Sequence, residues 1–180
     1  DLVGKLVNLA SRCATFIEKK SKFLLSKDLE NEKLFKDFLK NVEDVEKFYY
    51  KRKYSNAIGK IMLLTDKANQ YINEKKPWSL KNDDEIQKIA TQGLNYFRTL
   101  IILLSPVMPD LLRQTEKMFK EKDLKWSDCY NPKLGTKINK YVPMKKRIER
   151  EDIDKLQNML LEINNIETKL EGKKMNNEID

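Results

Sequence analysis

The sequence contains no histidine and only two cysteines among its 180 residues. Without histidine there is no imidazole base, no histidine metal ligand and no Ser-His-Asp or Cys-His arrangement. Cys13 and Cys129 are too far apart to form a zinc-binding spacing or a redox pair. We therefore expect two reduced, buried thiols in a cytoplasmic protein.

Long apolar runs and glycine-rich loops are also missing. The most apolar run, 100–104, is far too short to cross a bilayer, and we expect no signal peptide and no membrane partner. Gly4-Lys5 and Gly59-Lys60 lack the spacing of a phosphate-binding loop. The carboxylates are scattered rather than paired, so we expect no catalytic residue, no metal site and no cofactor in this chain.

Positive charge is in excess, with 36 lysines and arginines against 28 acidic residues and a net charge of +8. Because 40% of the residues are hydrophobic, this charge is carried by a folded body. An excess of this size favours a polyanionic partner, either a nucleic acid or an anionic membrane surface.

Apolar residues recur at spacings of three and four through most of the chain, and no strand-like alternation persists. The pattern predicts an all-α fold, an antiparallel helix bundle with short connections. Its predicted helices are the first near 1–20, a second with its stripe from Leu34 to Tyr49, a third capped by Ser55, a fourth opened by Asn82 or Asp83 and a shorter fifth after Pro106. The predicted domains are a bundle over 1–122, an irregular segment over 123–150, a helix over 151–171 and a disordered tail over 172–180.

The first helix carries a polar face opposite its apolar stripe. The stripe is Leu2, Leu6, Leu9, Cys13 and Phe16. Asn8 and Arg12 stand four residues apart on the opposite face, where an amide and a guanidinium side by side can read the edge of a nucleobase. A simple solvated face is the alternative explanation.

Pro77 and Trp78 end the third predicted helix, because the residue before a proline avoids the helical region. The tryptophan either plugs the core or projects a flat aromatic face from a rigid turn. Five cations are candidate phosphate contacts, although exposed charges are more often only solvated: Lys5 on the first helix, Lys51 and Arg52 at the end of the second, and Lys75 and Lys76 before Pro77.

Four strings in order, with a weaker fifth set, resemble the C-terminal anticodon-binding domain of methionyl-tRNA synthetase, a class I aminoacyl-tRNA synthetase. The strings are VNLASR at 7–12, NQYINEKKPW at 69–78, GLNYFRTL at 93–100 and LSPVMPDL at 104–111, followed by Trp126, Leu134, Gly135 and 147–149. The resemblance spans about residues 1 to 150 of the chain.

The resemblance implies a helix bundle that binds the CAU anticodon of tRNA(Met). It implies that Asn8 and Arg12 contact the wobble cytosine, that Trp78 stacks on this base and that Pro77 sets the turn. The chain would then be a part of methionine–tRNA ligase that lacks the catalytic domain. ATP and methionine would bind to that absent domain, which would itself be a partner of this chain. Whether the absent domain also binds zinc is left open.

Two alternatives remain at this point. One is the anticodon-binding domain of another class I synthetase, for valine, isoleucine, leucine or cysteine, since these share the bundle. The other is a helical protein–protein adaptor in which Trp78 anchors an interface. The combination of Asn8, Arg12 and the Pro77-Trp78 turn favours methionine.

Overall fold

The computed structural model describes residues 2–143, 150, 153–160 and 162–163. It confirms the all-α fold, since the described residues contain helices and one isolated antiparallel bridge but no strand. The helices are α1 (Leu2–Ser21), α2 (Glu32–Leu39), α3 (Val42–Tyr50), α4 (Tyr54–Lys75), α5 (Asp83–Leu104) and α6 (Pro109–Phe119), with short 3-10 helices at Pro77–Ser79 and Trp126–Tyr130.

Helix α5 is the centre of the bundle, as its apolar sequence predicts. Every residue from Ile89 to Leu104 is buried, so this part of the helix is covered on all sides. The Asn82 side chain caps its start by accepting hydrogen bonds from the backbone N–H groups of Asp84 and Glu85. The other helices therefore pack around this part of α5, which fixes their positions.

Helices α1 and α4 lie side by side against α5. The Lys20–Asp83 ion pair and the approach of Cys13 to Gly93 show that α1 runs opposite to α5. Helices α1 and α4 are joined by two contacts, Lys5 with Asp66 and Arg12 with Asn73. From the first contact to the second, the residue number rises by seven in both helices. Helices α1 and α4 therefore run in the same direction and form one groove between them.

Several details differ from the sequence prediction. The predicted second helix is two helices, because the Asn41 side chain donates to the backbone carbonyls of Asp37 and Phe38 and the chain turns there. Helix α4 starts at Tyr54 after Lys53 and not at a Ser55 cap. In α1 the core position is Ile17 rather than Phe16, which is only partly buried.

The segment after α6 packs on the bundle as far as Tyr141, which is partly buried against the core. Arg98 of α5 holds it by donating to the carbonyls of Asp128 and Asn131. Three backbone hydrogen bonds then pair residues 23–26 with residues 135–138. The predicted connection between the first two helices is thus tied to a segment more than a hundred residues later in the chain.

Contacts divide the chain into two units, residues 1–145 and 146–180. In the second unit, 153–160 and 162–163 are helical, which agrees with the predicted helix over that part of 151–171. Its described side chains are exposed. The predicted tail over 172–180 and residues 144–149 lie outside the described residues.

Both cysteine thiols are buried, as the sequence predicts, and burial raises the pKa of each to about 12. Because the thiolate is the reactive form, we expect neither thiol to react with a disulfide reagent at pH 8 in the folded protein. When the reaction with this reagent is measured across a denaturant titration, both thiols should become reactive together, at the midpoint of unfolding. Rapid modification of either thiol in native buffer would contradict this prediction.

Candidate nucleic-acid interface

Arg12, Asn73 and Trp78 come together at one end of the groove between α1 and α4. Arg12 Nη1 donates to Asn73 Oδ1 at 3.0 Å. The guanidinium carbon of Arg12 lies 5.0 Å from the centre of the Trp78 ring, a cation–π contact. The structure therefore joins two residues predicted as site residues, and both contacts restrict where the guanidinium can lie.

The close approach of the helices depends on Gly93 of α5. A Cβ atom at this position would lie 2.5 Å from Cys13 Sγ and 2.9 Å from Ile72 Cδ1. Cys13 directly follows Arg12 and Ile72 directly precedes Asn73 in the chain. The absence of a side chain at Gly93 thus lets α1 and α4 sit where Arg12 meets Asn73.

Trp78 is held on a short, well-defined turn. Helix α4 ends as predicted before Pro77, and Lys76 adopts a left-handed conformation with φ 46° and ψ 54°. The Lys76 carbonyl accepts hydrogen bonds from both the N–H and the hydroxyl of Ser79, each at 2.8 Å. Pro77 is buried while Trp78 is 53% exposed, so the turn presents an aromatic surface to solvent.

Asn8 lies one helical turn before Arg12 and is exposed. Residues four apart on a helix have Cβ atoms roughly 6 Å from each other. Within the described part of the chain its amide makes no hydrogen bond. The amide is therefore available to a ligand next to the guanidinium of Arg12.

A row of polar residues on α4 faces Lys5, Asn8 and Arg12 along the groove. Lys5 pairs with Asp66 at 2.7 Å, and Asn69 donates to the Lys5 carbonyl at 3.2 Å. The Asn69 Oδ1 atom is buried and has no hydrogen-bond partner among the described residues. This row was not predicted from the sequence. Its signal is the matched spacing of three and four in the two helices, 5-8-12 against 66-69-73.

Of the candidate phosphate contacts, Lys75 and Lys76 lie near the groove's end at Trp78. Lys75 is engaged by Glu30 at 2.6 Å, a carboxylate that also accepts from the Tyr71 hydroxyl. Burial, together with the nearby Glu30, raises the pKa of Tyr71, so its hydroxyl stays a donor. Lys76 is exposed and has no ion pair within the described residues.

Lys51 and Arg52 are not part of this site. They precede Tyr54 at the start of α4, whereas Trp78 follows the other end of that helix. A helix of 22 residues is about 33 Å long at 1.5 Å per residue. These two cations are thus about 30 Å from Trp78.

The described residues contain neither a metal-binding cluster nor a membrane-spanning helix. No group of three or more potential metal ligands is present among them. None of the helices in the described part of the chain is both long and apolar enough to cross a membrane.

Comparison with known proteins gives consistent results. The family model for the anticodon binding domain of methionyl tRNA ligase matches residues 26–159. The methionine–tRNA ligase of Buchnera aphidicola subsp. Acyrthosiphon pisum (strain Tuc7) is 43% identical over 163 residues, covering 88% of this chain and 30% of that protein. That of Francisella tularensis subsp. tularensis (strain WY96-3418) is 37% identical over 160 residues, covering 87% of this chain and 24% of that protein.

Solved structures show the same fold. Methionyl-tRNA synthetase of Mycobacterium tuberculosis in its free state matches with a TM-score of 0.72 and 19% identity, over 83% of this chain and 33% of that one. The same enzyme in complex with methionyl-adenylate matches with a TM-score of 0.73 and 19% identity, over 82% and 31%. The present chain spans less than a third of the length of the curated relatives described above.

The bundle and these relatives define a class, the helical domains of aminoacyl-tRNA synthetases. The family match covers more than half of the chain. It identifies which synthetase family the chain is related to, a question that the shared fold leaves open. The chain belongs to the family of anticodon-binding domains of methionyl-tRNA ligase. This confirms the resemblance and favours it over both alternatives, another class I synthetase and a protein–protein adaptor.

Proposed function

We propose that this domain reads the CAU anticodon of tRNA(Met) for a methionine–tRNA ligase. The observation that carries the proposal is the position of Arg12 between Asn73 and Trp78, at the exposed end of the α1–α4 groove. The rest of that protein would carry out the ATP-dependent methionylation. The proposed location is the cytoplasm, where buried, reduced thiols such as Cys13 and Cys129 persist.

The chemistry of the site suits an unpaired base. Single-stranded anticodon bases can be splayed out, stacked on an aromatic ring and read along their edges. Trp78 offers the ring, and stacking of this kind contributes roughly 1–3 kcal/mol per base. The Pro77 ring has no hydrogen-bonding group with which to read a base, and its role is to hold the turn that presents Trp78.

Arg12 and Asn8 would supply the edge contacts. A guanidinium has five N–H donors in a planar fork, and only one hydrogen bond, to Asn73, engages them among the described contacts. The remaining donors can reach the O2 and N3 acceptors of cytosine. Asn8 can complete the edge because its amide offers both a donor and an acceptor.

The three cations near the groove differ in their readiness to bind phosphate. Lys76 is exposed beside Trp78 and has no carboxylate partner in the described residues, so it is the strongest candidate. Lys5 and Lys75 already pair with Asp66 and Glu30. A phosphate would have to compete with these carboxylates.

The proposal is tested by measuring the binding of hairpins that carry CAU or UAU anticodons at fixed salt. Trp78→Ala should weaken binding to both hairpins, because every base has a π-face, and Trp78→Phe should recover part of the loss. Arg12→Ala and Asn8→Ala should instead remove the preference for CAU. A wrong base at a well-read position costs roughly 1–3 kcal/mol, so the change in ratio is measurable.

Arg113→Ala is the matched control, since Arg113 is an exposed arginine on α6 whose one ion-pair partner among the described residues is Asp110 of its own helix. It should leave the CAU:UAU ratio unchanged. The site assignment is wrong if Arg12→Ala and Asn8→Ala both keep the ratio of the parent protein. It is also wrong if the parent protein shows no preference between the two hairpins.

A further inference from the structure

Five consecutive residues at the junction of α3 and α4 form an exposed cationic turn, from Tyr50, the last residue of α3, to Tyr54, the first residue of α4; we call it the α3–α4 turn. Its three central residues are Lys51, Arg52 and Lys53, all exposed. Tyr50 is 92% exposed and Tyr54 is 52% exposed. Cations flanked by accessible tyrosines form a surface suited to a polyanion, because both residue types donate hydrogen bonds to phosphate oxygens.

The three cations of this turn have no carboxylate partner among the described residues. Several other cations of the bundle do have one: Lys36 with Glu32, Lys40 with Asp37, Lys60 with Asp44 and Lys133 with Glu121 are examples. Adjacent like charges repel one another unless an anion neutralises them. The α3–α4 turn therefore concentrates unneutralised positive charge at one place on the bundle.

The backbone of the turn is fixed by hydrogen bonds to α3. The N–H groups of Lys51, Arg52 and Lys53 donate to the carbonyls of Lys47, Tyr49 and Phe48 at 3.1, 2.9 and 2.8 Å. Such a backbone holds the three cations together without a ligand. Less conformational entropy is then lost when a polyanion binds than would be lost in a flexible tail.

Position identifies which part of an RNA could reach the turn. The turn and Trp78 are at opposite ends of α4, about 30 Å apart. At the B-DNA rise of roughly 3.4 Å per base pair, this distance corresponds to about nine base pairs of duplex. An RNA whose anticodon base lies at Trp78 could touch the turn only with a region well away from that base.

We propose that the α3–α4 turn is a second RNA-binding surface, which contacts the phosphate backbone of a double-helical part of the tRNA remote from the anticodon. This inference rests on the proposed function, since it takes the same RNA as its ligand. The contact carries no sequence information, because phosphates are the same at every base. It adds affinity and fixes the direction in which the tRNA leaves the anticodon site.

The test compares two ligands with the full chain, a complete tRNA with a CAU anticodon and a hairpin made of only its anticodon loop and stem. The test variant is K51A/R52A/K53A. The control variant is K36A/K40A/R113A, which removes the same charge from three exposed cations that pair with carboxylates three or four residues away in the chain. Circular dichroism melting of each variant verifies that the bundle is folded.

At about 0.1 M salt the test variant should bind the complete tRNA at least about tenfold more weakly than the parent chain, because neutralised phosphates release counterions. The slope of log affinity against log salt should fall by about two, or more if all three cations bind phosphate. Binding of the hairpin should change by less than about twofold, as should binding of the complete tRNA to the control variant.

Three results would overturn the proposal. They are an unchanged affinity of the test variant for the complete tRNA, an equal loss for the hairpin, and an equal loss in the control variant. Failure of the anticodon function appears differently, as a parent chain that does not distinguish CAU from UAU in either ligand. Binding of the turn to an acidic protein surface instead of RNA would give the first of the three results.

Discussion

Replacing Arg98 with alanine is expected to lower the free energy of unfolding by about 3–5 kcal/mol. Arg98 is 3% exposed and lies in the middle of α5. Its guanidinium makes a bidentate pair with Glu121, with Nε–Oε2 and Nη2–Oε1 distances of 2.7 and 2.9 Å. The same guanidinium donates to two backbone carbonyls of the segment after α6.

The expected loss is large because the alanine variant leaves other buried groups without their partner. The Glu121 side chain is only 14% exposed and would keep just the longer contact with Lys133, at 3.6 Å. The carbonyls of Asp128 and Asn131 would also lose a donor. Breaking one side of a buried pair is costly even where the complete pair contributes little.

Urea titration of three variants separates these contributions. Arg98→Lys keeps the charge but loses the fork, so it should fall between the parent and Arg98→Ala. The double variant R98M/E121Q removes both charges and should be more stable than Arg98→Ala alone. A loss below about 1 kcal/mol for Arg98→Ala would mean that water replaces the guanidinium without difficulty.

Leu94→Ala is expected to destabilise the bundle by about 2–5 kcal/mol, the range for large-to-small changes in a packed core. Leu94 is fully buried on α5 and belongs to the main hydrophobic cluster. The substitution removes apolar contacts and leaves a cavity that the surrounding helices fill only in part. Phe97→Ala, one turn further along the same helix, should fall in the same range.

Leu63→Ala provides a control with the same chemistry. Leu63 lies on α4 but is 62% exposed, so its substitution should change stability by less than about 0.5 kcal/mol. Denaturant titrations of the two variants can be compared directly if their m-values are the same, because a shift in the midpoint then reports a change in stability. Similar effects for Leu63→Ala and Leu94→Ala would show that the wrong face of the bundle had been taken as its core.

Sequence reasoning succeeded where one residue type sets the local structure. The apolar stripe of α5 is unbroken because the helix is buried on all sides, and Asn82 is a typical cap for its start. Pro77 ends α4 for steric reasons that depend only on the neighbouring residue. These features need no knowledge of the rest of the chain.

Other features depend on contacts that the sequence does not display. The break at Asn41 occurs because its side-chain amide donates to α2 carbonyls, whereas the same amide could equally have pointed to solvent within a continuous helix. The pairing of residues 23–26 with 135–138 joins segments with no shared pattern. Neither could be predicted from local propensity or periodicity.

The candidate site was predicted in part. Arg12 and Trp78 were named from their types and surroundings, and the structure brings them within 5.0 Å. Asn73, which holds Arg12, was missed because its significance appears only when α1 and α4 lie side by side. The functional roles of Asn8, Arg12 and Trp78 stay predictions until the hairpin measurements are made.

The close packing at Gly93 links the core of this domain to the position of its candidate RNA site. A larger residue at 93 requires space that only Cys13 or Ile72 can yield, and these two are the chain neighbours of Arg12 and Asn73. A larger residue at any one of the three buried positions is therefore expected to shift the helices that carry Arg12 and Asn73. In the course of evolution the three are expected to vary together, and under the proposed function a substitution that never touches RNA is expected to alter which anticodon is preferred.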